Sequence, residues 1–282
     1  MNEFGHTVSI KSGDIEITTA PELGFSLVSF RYRGLEILDT RLKEDFLAIR
    51  KGLGPLIVPH FNQQAAVPQG VDKQAFPHVA ALEARGVQHP FQHGIGRYVS
   101  WEHTVDGNTV RGRIDGAMSW RGHSLADLTG YNFSAQVVYS VEEDGLKIAF
   151  DVSGDRPVAA GIHFYYNLFE KSVAGVRLPA GCEAGEADLR LSEPIDKGFP
   201  VKHLPARTEA ACTLVTDSYS LVTRFPTGGD PETSFDTVVI FCPAGGGFAC
   251  IEPVSYRLGS ENTKKRFRGA IRLQPAPPPA GD

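Results

Sequence analysis

The feature that most constrains this chain is a recurring run of β-branched and aromatic residues followed by a turn of Gly, Asp, Asn or Pro. Such runs predict antiparallel strands. Three hairpins are expected from His6–Lys11 with Ile15–Ala20, Tyr98–Val105 with Thr109–Ile114, and Tyr131–Val141 with Leu146–Val152. Further strands are expected at Gly24–Tyr32, Val158–Leu168, Ala187–Leu191, Tyr219–Phe225, Phe235–Phe241, Phe248–Glu252 and Ala270–Leu273. The pattern therefore predicts an all-β fold, a large antiparallel β-sandwich with very little helix.

Little of the sequence favours helix. The best helical candidate is Arg41–Arg50, where apolar residues recur at helical spacing beside charged neighbours. Pro55–Pro90 is rich in Gln, His, Pro and Ala without a sustained period, so we expect a long irregular loop. No internal repeat or linker precedes the terminal PAPPPAGD. We expect one domain over residues 1–274 and a disordered Pro-rich tail over residues 275–282.

The charge and hydropathy of the chain exclude two classes of partner. The 282 residues include 28 Lys and Arg against 33 Asp and Glu, and no basic block stands out. A nucleic-acid binder needs such a block, so nucleic acid is not an expected partner. No stretch approaches the ~20 apolar residues of a membrane span. The opening MNEFGHTVSI lacks the marks of a signal peptide, and we expect a cytoplasmic protein.

The cysteines and histidines do not form a recognised metal or disulfide pattern. Because no CxxC pair is present, we interpret the cysteines as reduced thiols, with a Cys242–Cys250 pairing as the alternative. Four histidines fall in one loop region: His60, His78, His89 and His93. Their spacing matches no zinc motif, and HExxH is absent. We therefore expect no metal.

The most informative strand is Pro157–Leu168, PVAAGIHFYYNL. Side chains alternate between the faces of a strand. One face is mostly apolar and predicts a core side: Val158, Ala160, Ile162, Phe164, Tyr166 and Leu168. The other face carries small and polar residues: Ala159, Gly161, His163, Tyr165 and Asn167. Small residues leave room for a ligand that polar ones can reach, so this face predicts the floor of a binding site. A solvated outer face is the alternative.

Two further segments carry candidate functional residues. PFQHGIGR places His93 and Arg97 around a glycine turn that leads toward Trp101, although a histidine in such a loop is often only a surface residue. GGGFACIEPVS delivers Glu252 among apolar neighbours. A carboxylate enclosed in this way is costly unless it is hydrogen-bonded or lies on a pocket rim. A salt bridge to an arginine is the alternative to a functional role.

Together these segments resemble the aldose 1-epimerases, or galactose-mutarotase-like proteins. GIHFYYNL resembles the histidine strand of that family, CIEP its glutamate strand, HGIGR its first-histidine loop and FDTVVIF its aspartate strand. GLGPLIVPHFN resembles its early Gly-Pro and Pro-Phe-Asn segment. The matches follow the family's order from about residue 50 to residue 255. The resemblance implies a supersandwich whose concave face binds a sugar and interconverts its α- and β-anomers.

The resemblance also implies roles for individual residues. Glu252 would take the proton of the C1 hydroxyl and His163 would protonate the ring oxygen, with the roles reversed on closure. This requires a protonated histidine and an ionised carboxylate, which their mutual attraction would favour. Substrate contacts would come from His93, Asp236, Asn62, Gln63, Arg97 and Tyr165. No cofactor is implied, since each step is a proton transfer. The partner would be an aldohexose or its phosphate, bound by a monomer or a homodimer.

The sequence departs from the family in ways that leave the substrate open. Gln63 stands after PHFN, where mutarotases of free sugars usually carry a substrate-binding arginine. HGIGR and IRKGLGP look closer to the hexose-6-phosphate 1-epimerase branch. Arg97, with Arg50 or Lys51, would then clamp the phosphate, because a guanidinium suits bidentate phosphate contacts. The continuation EPVSYRLGSENT lacks the family's common pattern, so no ligand contact is transferred to it.

Other classes of protein fit the sequence less well. A sugar-binding protein that has lost catalysis is the main rival, motivated by Gln63 and opposed by the retained Glu252 and His163. A glycoside hydrolase would need two facing carboxylates, and Asp236 with Glu252 would be that pair. It would leave the histidine strand without a role. A serine hydrolase is disfavoured because no GxSxG elbow is present.

Overall fold

The structure is a computed structural model, and it describes residues 3–61, 71–87, 90–170, 173–179, 182, 188–201, 204 and 209–279. The first strands, numbered in chain order, are β1 (Val8–Ser12), β2 (Ile15–Ala20), β3 (Ser26–Tyr32), β4 (Leu35–Glu36), β5 (Leu56–Ile57), β6 (Glu102–Asp106), β7 (Thr109–Asp115), β8 (Ser119–Trp120), β9 (His123–Ser124), β10 (Phe133–Val141) and β11 (Leu146–Gly154). The later strands are β12 (Gly161–Ile162), β13 (Tyr165–Asn167), β14 (Gly175–Arg177), β15 (Asp188–Arg190), β16 (Ile195–Val201), β17 (Ala210–Val215), β18 (Ser220–Phe225), β19 (Thr237–Cys242), β20 (Phe248–Val254), β21 (Arg266–Phe267) and β22 (Ala270–Ala276).

The strands form two large sheets and two small ones. The ten-stranded sheet has the order β15-β14-β17-β18-β22-β11-β10-β7-β6, with β21 also paired to β11. The six-stranded sheet has the order β16-β19-β20-β12-β5, with β13 also paired to β20. β1 to β4 form a third sheet and β8 pairs with β9. The predicted hairpins are confirmed as β1–β2, β6–β7 and β10–β11, all antiparallel.

A continuous hydrophobic core lies between these sheets. It includes Ile17 of the four-stranded sheet, Val137 of the ten-stranded sheet and Ile240 of the six-stranded sheet, each fully buried. The alternation of apolar and polar residues along the strands produces this core, because every second side chain of a strand faces the same layer. The predicted all-β antiparallel sandwich is confirmed.

In the part of the chain that the structure describes, helix is confined to short segments. The helices are α1 (Lys43–Ile49), α2 (Pro77–Glu83) and α3 (Leu125–Thr129), and single 3₁₀ turns lie at Pro21–Leu23, Thr40–Leu42, Lys73–Ala75 and Ile95–Arg97. The helix predicted at Arg41–Arg50 is confirmed as α1. The irregular loop predicted over Pro55–Pro90 is wrong where α2 forms. α2 buries only Val79 and Leu82, too few apolar residues to produce a visible period.

No helix among the described residues has the length and hydropathy needed to span a membrane.

The last strand, β22, lies between β11 and β18 in the middle of the ten-stranded sheet. It continues through Pro275 to Ala276, so ordered structure extends into the segment 275–282 predicted as a disordered tail. Proline fits there because β11 pairs with β22 only as far as Leu273, which leaves that side of the strand open. Residues 280–282 lie outside the described residues.

The strand predicted at Val158–Leu168 is divided into β12 and β13, yet it keeps one register. Gly161 lies opposite Val254 of β20, and Tyr165 lies opposite Cys250. Both pairs fit the same antiparallel register. The predicted apolar face is confirmed, since the following side chains all belong to the main core: Val158, Ala160, Ile162, Phe164, Tyr166 and Leu168.

Candidate active site

The candidate site lies on the six-stranded sheet, on the face away from the main core. The shared register of β12 and β13 with β20 places His163 directly opposite Glu252. On the other side of β20, Val239 of β19 also pairs with Glu252. Cross-strand neighbours in an antiparallel sheet have side chains on the same face. The pairing thus brings together two functional groups that lie far apart along the chain.

The imidazole and the carboxyl are in contact and nearly inaccessible to solvent. Nε2 of His163 lies 3.4 Å from Oε1 of Glu252. The two residues are 8% and 2% exposed. The separation is slightly longer than a typical hydrogen bond. A single proton can be held between them, on either the nitrogen or the oxygen.

His163 and Glu252 lie in the wall of a cavity of about 340 Å³. This volume falls within the range of pockets that bind small molecules. The cavity is lined by Ile49, Lys51, Phe61, Arg85, Val87, Gln92, His93, Arg97, His163, Tyr165, Val239, Phe241 and Glu252. Of the residues that the sequence singled out, the structure brings six into this one cavity: Lys51, His93, Arg97, His163, Tyr165 and Glu252.

The HGIGR segment delivers His93 to the cavity through a tightly held turn. His93 and Gly94 have φ angles of 61° and 99°. The carbonyl of His93 accepts a hydrogen bond from the Val58 amide at 3.2 Å, and the Val58 carbonyl accepts one from Gly96 at 3.0 Å. A Cβ atom on Gly94 would overlap the Val58 carbonyl. Glycine at position 94 therefore allows the loop to pack closely against the end of β5. This packing, and not contact with a ligand, explains the glycine.

Aromatic rings flank the polar groups of the cavity. The rings of His163 and Tyr165 stack at 4.9 Å, and the ring of His93 lies 5.0 Å from that of His163. Phe61 packs against His93 at 4.6 Å. Ring faces beside polar groups match the surface of a pyranose, which has apolar C–H faces and a hydroxyl edge.

Arg97 brings a positive charge into the interior of the protein. It is 3% exposed, and its Nε donates to the carbonyl of Leu56 at 3.3 Å. Nη2 of Arg97 has no hydrogen-bond partner among the described residues. Burial lowers the pKa of Arg97, and a guanidinium remains charged in proteins. A buried donor of this kind suits an anionic or hydroxyl-bearing ligand.

Two other cations reach the cavity. Lys51 is exposed at the cavity wall. Arg85 also lines the cavity, but its Nη2 lies 2.7 Å from Oδ1 of Asp45, which offsets its charge. Lys51 and Arg97 therefore give the cavity a positive potential.

Burial determines the protonation of the central pair. It raises the pKa of Glu252 to about 8, with a smaller opposing effect from the charge of Arg97. Burial also lowers the pKa of His163 well below 6.5, and the positive charges of Arg97 and Lys51 lower it further. At neutral pH the pair is therefore an uncharged carboxyl beside an uncharged imidazole. The expected ionised carboxylate and protonated histidine are not the resting form, because burial penalises both charges.

Other expected contacts are not made in the cavity. Asp236 is not among its lining residues. Its Oδ2 instead lies 2.7 Å from Nζ of Lys264. It precedes β19 and lies an odd number of residues from Val239, so the alternation of the strand directs it away from Glu252. Arg50 is also elsewhere, with its Nη1 donating to the carbonyls of Phe46 and Leu47 at the end of α1. Asn62 and Gln63 lie outside the described residues.

The described histidines of the predicted loop contact different parts of the structure. Nδ1 of His60 lies 3.4 Å from the Tyr131 hydroxyl. Nε2 of His78 lies 2.9 Å from the carbonyl of Pro90, and its ring stacks on Tyr98 at 4.4 Å. His93 faces the cavity, and His89 lies outside the described residues. The described histidines of this region therefore lie in separate environments.

The described residues contain one group of metal-ligand side chains, formed by His163, Cys250 and Glu252. Cys242 and Cys250 are not joined by a disulfide bond, so the alternative pairing is wrong. Their positions on adjacent strands explain why. Cys242 belongs to the main core, whereas Cys250 packs with Tyr165 and Phe248 on the opposite face of the sheet.

Several cavity residues were not expected from the sequence. Val239 and Phe241 alternate along the segment FDTVVIF, and a strand pattern would have placed them on the face opposite Asp236. Gln92, Val87 and Arg85 carry no such signal. They reach the cavity through loops and the end of α2, whose positions depend on the tertiary structure.

No family model matches the sequence, and no curated protein matches it either. Solved structures do match its fold. The chain is similar to the Slr1438 protein of Synechocystis sp. PCC 6803, with 16% identity, coverage of 96% of each chain and a TM-score of 0.69. It is similar to a galactose mutarotase related enzyme from Lactobacillus acidophilus, with 14% identity, coverage of 98% of this chain and 100% of that chain, and a TM-score of 0.68. A galactose mutarotase-like protein from Lactobacillus casei ATCC 334 has 14% identity, coverage of 96% and 100%, and a TM-score of 0.66. The chain therefore has the galactose-mutarotase-like fold that its motifs predicted.

Proposed function

We propose that this protein is an aldose 1-epimerase, which interconverts the α- and β-anomers of an aldohexose. The observation that carries the proposal is the buried contact of 3.4 Å between His163 and Glu252 in the wall of one cavity. The names of two similar structures, a galactose mutarotase related enzyme and a galactose mutarotase-like protein, support it. The reaction needs one proton acceptor at the C1 hydroxyl and one proton donor at the ring oxygen, two atoms that are bonded to the same anomeric carbon.

Glu252 acts as the base and His163 as the acid. The carboxylate takes the proton of the C1 hydroxyl while the imidazolium protonates the ring oxygen, and the ring opens. Rotation about the C1–C2 bond turns the aldehyde, and the reverse transfers close the ring on its other face. Because donor and acceptor exchange roles between opening and closure, the enzyme returns to its starting state without a cofactor.

The pair carries one proton throughout this cycle. In the resting protein that proton lies on Glu252, as the pKa of about 8 indicates. It passes to His163 over the 3.4 Å between the two atoms before the ring opens. Ring opening then removes a proton from His163 and returns one to Glu252, so it ends in the uncharged pair that burial favours.

The remaining cavity residues hold the sugar. Tyr165 and Phe61 present ring faces, and His93 presents an imidazole within 5.0 Å of the His163 ring, centre to centre. Arg97 offers its unpartnered Nη2 to a sugar oxygen. Holding the C1 hydroxyl against Glu252 and the ring oxygen against His163 supplies the orientation that proton transfer requires.

The test is the rate of anomer equilibration, followed by polarimetry or exchange NMR with a panel of aldoses and aldose 6-phosphates. We expect the wild type to accelerate at least one sugar and both Glu252→Gln and His163→Asn to lose that acceleration. Unchanged rates in both variants would show that the assigned roles are wrong. Saturable binding of a sugar without any acceleration would favour a binding protein that has lost catalysis.

A second candidate, a hexose-6-phosphate 1-epimerase, is favoured by the cations of the cavity. Arg97 and Lys51 both line it, and the charge of Arg85 is offset by Asp45. A phosphate would gain charge-assisted hydrogen bonds from Arg97 and attraction from Lys51. The Lys51→Ala variant should then raise KM for glucose 6-phosphate and leave KM for glucose unchanged.

Lys43→Ala is the matched control, because Lys43 is an exposed lysine outside the cavity, paired with Glu3. It should change neither KM. If the wild type shows equal kcat/KM for glucose and glucose 6-phosphate, the phosphate candidate is rejected and the free-sugar proposal stands.

A further inference from the structure

A buried thiol lies next to the acid and base pair and has no role in the proposed reaction. Cys250 and Glu252 are two residues apart on β20, so their side chains lie on the same face of the sheet. His163 lies opposite Glu252 in the same register. One ligand atom from each of His163, Cys250 and Glu252 lies within 4.8 Å of the other two. Among the described residues, no second group of this kind occurs.

The spacing of these atoms is close to that of a tetrahedral zinc site. With zinc to nitrogen, oxygen and sulfur bonds of about 2.0–2.3 Å, neighbouring ligand atoms lie about 3.3–3.6 Å apart. The separation of 3.4 Å between Nε2 of His163 and Oε1 of Glu252 already matches one edge. With an upper limit of 4.8 Å for the other pairs and a required edge of about 3.5 Å, the thiol needs to approach by about 1.3 Å at most.

We infer that His163, Cys250 and Glu252 form a binding site for a thiophilic divalent cation such as Zn²⁺, and that the bound ion inhibits the protein. The inhibition rests on the proposed function, since the ion would occupy the two groups that exchange protons with the sugar. The binding itself does not depend on that function. One imidazole, one thiolate and one carboxylate are a ligand set that zinc uses in proteins.

The charge balance of the complex is compatible with a buried location. One thiolate and one carboxylate neutralise the dication, and a neutral complex avoids the cost of an uncompensated buried charge. Arg97 and Lys51 repel the cation, and the two anionic ligands offset that repulsion. His163 and Glu252 line the cavity and Cys250 lies on the same face of the sheet, so the fourth coordination position would face the cavity.

The experiment titrates the metal-free protein with Co²⁺, which replaces Zn²⁺ in tetrahedral sites and reports thiolate ligation by a near-ultraviolet charge-transfer band. We expect one Co²⁺ per chain, the thiolate band, and its displacement by one equivalent of Zn²⁺. The Cys250→Ala variant should lose the band. The matched control is Cys242→Ala, which removes another fully buried thiol of the same sheet from its opposite face and should keep the band.

A wild type that binds Co²⁺ without a thiolate band, or not at all, would overturn the site. A band that persists in Cys250→Ala would also overturn it. If Cys250→Ala does not fold, Cys250→Ser provides the same comparison, and the Glu252→Gln variant should weaken binding by at least about tenfold.

The inhibition is tested separately by adding Zn²⁺ to the wild-type epimerisation assay and then removing it with a chelator. We expect reversible loss of activity that excess sugar relieves. A thiolate band without inhibition would leave the metal site standing and contradict the proposed catalytic roles. Inhibition that persists in Cys250→Ala would instead contradict the metal site.

Discussion

At the scale of the residue, Glu252 is a buried carboxyl whose charged form is destabilised by its surroundings. It is 2% exposed, between Ile251 and Pro253, and burial raises its pKa to about 8. Burial also destabilises the charged form of His163, which lowers its pKa well below 6.5. Groups with shifted pKa values that share one cavity are typical of functional sites.

The pH dependence of epimerisation follows from these shifts. Catalysis needs one proton on the pair, and that proton is lost as the pH rises through the pKa of Glu252, about 8. A second proton is gained only below the lowered pKa of His163. We expect kcat/KM to fall above about pH 8 and to remain level through pH 6.5. A profile that falls on acidification through pH 6.5 would contradict this assignment.

The raised pKa of Glu252 also makes the stability of the fold depend on pH. Between about pH 4.5 and pH 8 the folded protein holds a proton that the unfolded chain has lost, so stability falls as the pH rises. Glutamine does not titrate. The unfolding free energy of Glu252→Gln minus that of the wild type should therefore increase as the pH rises across this interval, by on the order of 4 kcal/mol.

Denaturant unfolding of both proteins at several pH values measures this difference. Asp236→Asn is the control, because Asp236 is half-buried and paired with Lys264 outside the cavity. It should show no comparable gain. A difference between Glu252→Gln and the wild type that stays constant with pH would show that Glu252 is ionised in the folded protein.

The sequence predicted the central residues better than the peripheral ones. His163 and Tyr165 were found because an alternating strand fixes which side chains share a face. Asp236 and Arg50 were placed in the site only by analogy, and both have local partners, Lys264 and the end of α1. A polar side chain near the end of an element can form a hydrogen bond or an ion pair outside the site. Resemblance to a motif does not reveal such a partner.

At the scale of the element, the HGIGR loop shows how backbone freedom positions a functional side chain. Gly94 has a φ of 99° and its Cα faces the Val58 carbonyl. We expect Gly94→Ala to lower the unfolding free energy by about 2–4 kcal/mol and to reduce kcat/KM, because His93 would move with the loop. Trp101, which donates from Nε1 to Gly96 at 2.8 Å, should report the change by fluorescence.

Gly107→Ala is the matched control for this prediction. Gly107 also has a positive φ, 54°, but nothing lies within 4 Å of an added Cβ atom. Gly107→Ala should lower the unfolding free energy by only about 1 kcal/mol and leave kcat/KM unchanged. Equal destabilisation by the two substitutions would show that the approach to β5 is not the constraint.

The hairpins were predictable because their runs and turns are local in sequence. β14, β16 and β17 were not predicted. β16 contains Pro200, which resembles a turn signal, and it forms an edge strand where proline is tolerated. β14 is only three residues long. β14 pairs with β17 and β16 pairs with β19, both distant in sequence, so no local pattern indicates these pairings. β17 instead forms a hairpin with the adjacent β18, a local pairing that was not predicted.

At the scale of the whole molecule, the fold is closed by its last strand. β22 pairs with β11 on one side and β18 on the other, in the middle of the ten-stranded sheet. Without β22, both neighbours would become open edges and the buried Ile271 and Leu273 would be lost from the core. The chain therefore depends on its C-terminal segment to complete the sheet.

Deletion of residues 270–282 should abolish folding, as measured by soluble yield and cooperative unfolding. Deletion of residues 278–282 is the control. It keeps all of β22 and the hydrogen bond from Ser220 to the carbonyl of Pro277, and it should leave stability unchanged. A folded protein without residues 270–282 would contradict the central role of β22.

The sandwich and its antiparallel sheets were predictable from the alternation of the strands, whereas the shape of the cavity was not. The cavity combines α1, β13, β19, β20 and loops, and its residues range from Ile49 to Glu252. Such a site depends on how sheets and loops pack together. The family resemblance linked the segments, and the structure shows the cavity that they form.

The central claim is that His163 and Glu252 act as one unit on a single sugar. The most direct test compares kcat/KM for anomer equilibration in the wild type, His163→Asn, Glu252→Gln and the double variant. We expect each single variant to lose about 10²–10⁴-fold and the double variant to lose no more than the worse single one. Losses that multiply in the double variant, or a single variant with wild-type activity, would contradict the claim.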